Sequence, residues 1–90
     1  MNLSEFKQAS AELPATLRIL LPNNDYLIPV NGLQEESAGI VLISNSNKPA
    51  MNLQHFLQAS NTYDHSLALL TNNQKIVFGF RVIDHAIILY

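Results

Sequence analysis

Leu3, Phe6, Ala9, Ser10 and Leu13 recur at the three-and-four spacing that lines one face of a helix. Asn2 stands before them and Glu5 three residues later, a capping-box pattern with Asn in the cap role. Met1 and Phe6 are placed to staple the first turn. Pro14 is expected to close this helix, because the residue before a proline avoids helical backbone. The period then shortens. Thr16–Leu21 and Tyr26–Val30 are β-rich runs around Pro22-Asn23-Asn24-Asp25, and Asn tolerates the positive φ a hairpin turn needs. Pro29 lacks a donor and marks an edge or a bulge. The polar stretch from Asn31 to Ser37 reads as loop, and the apolar run Gly39–Ile43 as a third strand.

The pattern then repeats. Residues 1–10 (MNLSEFKQAS) and 51–60 (MNLQHFLQAS) are identical at seven of ten positions. Leu17 and Leu20 meet Leu67 and Leu70 at the same spacing. With two single-residue deletions, Asn23-Asn24 falls on Asn72-Asn73, Leu27-Ile28 on Ile76-Val77, and residues 38–42 on residues 86–90. A period of about fifty residues means one supersecondary unit used twice. The second copy reads as a helix through Leu53, Phe56, Leu57 and Ser60, then strands at Ser66–Leu70, Lys75–Ile83 and Ala86–Tyr90. Gly79 interrupts the middle strand as a bulge residue would.

The expected fold class is α+β, with two pseudo-symmetric αβββ repeats sharing one core, and both helices packed on one face of an antiparallel sheet. The chain is one domain: repeat 1 over 1–44, a polar linker over 44–50, and repeat 2 over 51–90. Halves this small bury too little surface to be stable separately, which is why a common core is expected. Ala86–Tyr90 carries no charge on either face, so it is either central in the sheet or paired across an interface.

Composition narrows the function classes. Charged residues are only 13% of the chain and the net charge is −2, against the basic face that nucleic acid requires. Ten asparagines supply much of the polarity instead. So few charges on a small domain point to surface covered by a partner or a second copy, and a homodimer is expected. No apolar run is long enough to span a bilayer and no secretory leader is evident, so a cytoplasmic protein without a membrane partner is expected. Zero cysteines exclude thiolate metal sites and disulfides.

Candidate chemistry is sparse. No P-loop, nucleophile elbow, dinucleotide fingerprint or zincin pattern is present, so neither an enzyme nor a cofactor is expected. Asp64-His65 and Asp84-His85 both begin strands, and in a meander those strand starts share one end. His65 and His85 are thereby candidate metal or acid–base groups with carboxylates beside them. The same pairs read equally as polar turns, because adjacent strand residues face opposite ways. Glu35-Glu36 reads as a solvated turn, and Arg18 and Arg81 mark solvent-facing strand positions. Phe78 and Phe80 share a strand face. They belong to the core if they point inward. If they point outward, they form an interaction hot spot with Tyr90.

Leu3, Phe6, Leu13-Pro14, Leu17, Ile19, Asn23-Asn24-Asp25 and Ile40-Val41-Leu42 together resemble the uncharacterised small accessory proteins of phages and prophages that join a short helix, a Leu-Pro pair and three strands. The resemblance covers about half the chain and departs in the second copy, where Tyr63-Asp64 replaces Leu-Pro. It implies a mobile-element setting. The functional expectation is a non-enzymatic protein–protein interaction module, with a phage-type accessory or anti-defence inhibitor that acts by docking as its concrete form. The alternative is a small-molecule or metal-binding protein using His65, His85 and the neighbouring carboxylates.

Overall fold

Asn2 starts the first helix by the mechanism its spacing predicts. Its side chain accepts the Glu5 amide at 2.8 Å, and the Glu5 carboxylate accepts the Asn2 amide at 2.8 Å. The computed structural model describes residues 1–90 and places this helix, α1, at Leu3–Ala9. The second helix, α2, spans Leu53–Ala59. Asn52 caps it in the same way through the His55 amide at 2.8 Å, with no carboxylate to return the bond. Both helices stop short of the expected ends. The Ser10 hydroxyl donates to the Phe6 carbonyl at 2.7 Å, which satisfies that carbonyl, and residues 10–13 continue only as turns toward Pro14.

Four strands follow α1 and three follow α2: β1 Arg18–Asn23, β2 Tyr26–Pro29, β3 Gly32–Glu36 and β4 Gly39–Ile43, then β5 Leu69–Leu70, β6 Phe80–Ile83 and β7 Ala86–Leu89. The α+β class holds, but the single antiparallel sheet does not. There are two mixed sheets, ordered β2-β1-β7-β6 and β3-β4-β5. The parallel pairs join the two halves of the chain: Ile19 stands opposite Ile87, and Ile40 opposite Leu69. Each hairpin is local, whereas these two parallel pairs are long-range, and local periodicity carries no signal for them. The αβββ count also changes. Residues 32–36, expected as loop, form β3 against β4. An edge strand open to solvent tolerates Gln34, Glu35 and Glu36 without the apolar alternation that marks a strand in sequence. In the second half, the expected strand from Lys75 contracts to β6, with Ile76 contributing one isolated bridge to Leu70.

The apolar strands β4 and β7 are each central, flanked by β3 and β5 and by β1 and β6. Their backbone edges are thereby paired on both sides, and their side chains are buried on both faces. The turns use positive φ where the sequence suggests it, at Asn24 (56°) and Asp84 (53°). One cluster of 15 buried side chains draws on residues from both halves, including Leu3, Phe6, Ile19, Leu42, Phe56 and Leu89. Phe6 sits at its centre, edge-on to Phe56 with centroids 5.0 Å apart and to Phe80 at 5.3 Å.

Backbone hydrogen bonds between the halves occur in matched pairs. Leu3 donates to Leu67 and Leu53 to Leu17; Ser4 donates to His65 and Gln54 to Ala15; Leu69 donates to Met1 and Ile19 to Met51. Two further bonds cross in the same way, from Met51 to Val30 and from the Met1 ammonium to Val77, and each acceptor residue is itself held within its own half, Val30 donating to Ile19 and Val77 to Leu69.

Candidate functional site

Phe78 and Phe80 do not share an environment. Phe80 is half-buried and packs its ring on Phe6. Phe78 precedes the last strand pair and is 81% exposed. Its amide donates to the Tyr90 carbonyl at 2.6 Å, and the Gly79 amide shares that acceptor at 3.1 Å. Tyr90, 51% exposed, lays its ring over Gly79: a Cβ built there would meet the Tyr90 hydroxyl at 3.7 Å and Cζ at 3.8 Å. An aromatic ring thereby covers the gap that a strand glycine leaves. Of the three expected interface residues, Phe78 and Tyr90 face solvent while Phe80 joins the core side.

Sequence reasoning missed two further exposed apolar side chains in the same stretch of chain, Val82 (44% exposed) and Ile76. Val82 stands opposite Ile87 on β6, the outermost strand of its sheet, and lacks a neighbour on the free side. The signal available in sequence was the absence of any carboxylate or proline between Phe78 and Ile83.

The two histidines separate. His65 leads into β5 of the three-stranded sheet, whereas His85 occupies the turn between β6 and β7 of the other. They are therefore not neighbours at one sheet end, because the meander that would align them is split between two sheets. The Lys7 ammonium lies 3.1 Å from His65 Nε2, so that nitrogen acts as acceptor and faces a cation rather than an open coordination position. No group of three His, Asp or Glu side chains is arranged to hold a metal ion. Asp64 works as a turn residue. Its carboxylate accepts the Ser66 amide at 2.9 Å and hydroxyl at 2.8 Å. These bonds, backbone first, hold its pKa below the ordinary carboxylate value, with His65 adding a small attraction.

An open groove of about 520 Å³ runs along the outer side of the four-stranded sheet, floored by Leu20 and Ile88 and walled by Leu27 and Ile83. Arg18 and His85 stand at one end, and Arg18 donates to the Ala50 carbonyl at 2.9 Å. The stretch at 44–50 is tied down beside it. The Asn31 amide group donates to the Asn45 and Lys48 carbonyls at 2.7 and 3.2 Å. No helix is long and apolar enough to cross a membrane. No protein-family model, curated protein or solved structure matches this chain.

Proposed function

We propose that this protein is a non-enzymatic interaction module, built from a duplicated unit and docking through the free edge at β6 with Phe78 and Tyr90 beside it. The observation that carries the reading is Phe78, a large apolar side chain 81% exposed two residues before the edge strand β6. Its first partner is a second copy of the chain. A mobile-element accessory or anti-defence role is the setting this reading adopts, on the resemblance of the first unit. Light scattering tests the docking surface. The mass is expected to rise from 10.0 kDa toward twice that value with concentration, and Phe78→Ser is expected to hold it at the monomer. A wild-type chain that stays monomeric at every concentration overturns the proposal.

The matched backbone bonds support two pseudo-symmetric repeats. Exchanging the halves moves Leu3, Ile19 and Leu17 by 50 positions and Val30 by 47, and each bond finds its counterpart. The hairpins favour Gly39 against Ala86, since Gly39 closes on Glu36 as Ala86 closes on Ile83. That is one residue away from the alignment the sequence suggests. The Phe6–Phe56 contact supports both helices lying on one side of the common core.

Duplication carries a direct consequence. Met1 bonds Val77 and Tyr90 accepts from Phe78, so residues 1 and 90 lie against adjacent positions. The segment 44–50 spans the corresponding gap in the first unit. A permutant running 51–90, then a copy of 44–50, then 1–43 is expected to fold. Its stability should fall by less than about 1 kcal/mol, or roughly 4–8 °C in Tm. Failure of this permutant to fold, read by circular dichroism, counts against the duplicated architecture.

A further inference from the structure

We infer that two copies of this chain pair antiparallel through β6 in one register, with Phe80 opposite Phe80 and Phe78 opposite Val82 of the second copy. This inference rests on the docking surface proposed above and specifies its partner and geometry.

Three exposed edges compete for such a role. The β2 edge contains Pro29, which has no amide to donate. The β3 edge carries Glu35 and Glu36, which repel a second copy of themselves. The β6 edge has neither, only Arg81.

The ladder shows which backbone groups are free. Gly79 and Tyr90 exchange two hydrogen bonds, at 3.1 and 3.0 Å. In an antiparallel pair such exchanges alternate, so Arg81 also bonds toward β7. Phe80 and Val82 therefore aim their amides and carbonyls away from the sheet. The Phe78 amide is taken by Tyr90 while its carbonyl has no backbone donor. A twofold axis through Phe80 uses this supply. The two Phe80 residues exchange a pair of bonds, and each Val82 amide donates to the Phe78 carbonyl of the other copy.

The neighbouring register, centred on Arg81, makes as many bonds from Phe80 and Val82. It sets the two Arg81 guanidiniums opposite each other and leaves Phe78 without an apolar partner, and like charges directly opposite are unfavourable. The register centred on Phe80 places Arg81 opposite Gly79, where there is no side chain to displace and the Tyr90 ring stands alongside. A guanidinium over an aromatic ring is attractive. It also covers Phe78 with Val82 twice, once on each side of the axis. A single added strand pair buries less than the roughly 1,200 Å² of a standard interface, so the dimer is weak and concentration-dependent.

The absence of native cysteine makes the register readable. Phe78→Cys and Val82→Cys proteins, differing in tag, are mixed at high concentration and oxidised. Opposed positions lie within disulfide reach, whereas like positions are four residues out of register, roughly 13 Å apart. The mixture is expected to yield a disulfide heterodimer at least tenfold above either homotypic product. Equal yields of all three, or no heterodimer, overturn the register. In unsubstituted protein, the Phe80 and Val82 amides are expected to exchange more slowly with solvent as concentration rises, and unchanged exchange overturns the inference independently. A wild-type mass that still doubles while both readouts fail rejects this geometry and leaves the interaction module standing. A strictly monomeric mass rejects both.

Discussion

Gly39→Ala is expected to destabilise the fold by on the order of 3 kcal/mol, measured by urea unfolding, while Gly79→Ala leaves it close to wild type. The two glycines both sit in β-rich segments, yet their surroundings differ. Gly39 has φ +150°, a conformation L side chains rarely adopt, and such strain alone costs on the order of 1–3 kcal/mol. A Cβ there would also lie 2.4 Å from the Ala68 carbonyl oxygen, which is backbone and cannot swing aside. That oxygen accepts the Ile40 amide at 2.8 Å, the bond that seats β4 beside β5. Relieving the clash therefore opens one of the two parallel junctions between the halves. At Gly79 the nearest atoms are at 3.7 Å or more, ordinary contact, and φ lies outside the positive range. Restricting the unfolded chain there stabilises by up to about 1 kcal/mol. A Gly39→Ala protein as stable as wild type would show that the β4–β5 junction does not hold the halves together.

Phe6→Ala is expected to cost about 3–5 kcal/mol, the range for emptying a fully buried aromatic site. Stabilities of domains this size are about 5–15 kcal/mol in total, so a large share of the fold's margin disappears. Phe6 is fully buried and touches Phe56 from α2 and Phe80 from β6, so the deletion leaves two rings without their edge contacts. Tm should fall on the order of 20 °C. Phe56→Ala is expected to be milder, because Phe56 loses one ring contact instead of two. The double variant should fall short of the sum by about 0.5–1.5 kcal/mol, the coupling of an aromatic pair. A Phe6→Ala loss below about 1 kcal/mol, read by urea unfolding, would mean the core closes around the gap and the helices are not held by this contact.

Local chemistry was legible where neighbours in sequence are neighbours in space. The Asn2–Glu5 capping box, the hairpin turn at Asn24 and the apolar strands β4 and β7 follow from short-range rules, and all are present. The candidate site was legible only in part. Phe78 and Phe80 have the same residue type and the same alternation, but Phe80 reaches Phe6 from α1 while Phe78 lies past the end of the packed sheet. A single meander would make His65 and His85 neighbours, and the division of the strands between two sheets separates them.

The amino-acid sequence by itself determined the helix caps, the turns and the apolar strands, because each depends on backbone preferences and spacing within a few residues, and it carries the fifty-residue echo between the halves as plain identity of residues. Tertiary structure alone decided that β1 lies parallel to β7 and β4 to β5, that residues 32–36 complete a strand, and that Gly39 must lack a side chain. Those outcomes depend on which distant backbones find hydrogen-bond partners once the apolar faces close on one another, and no local pattern of residues encodes that choice.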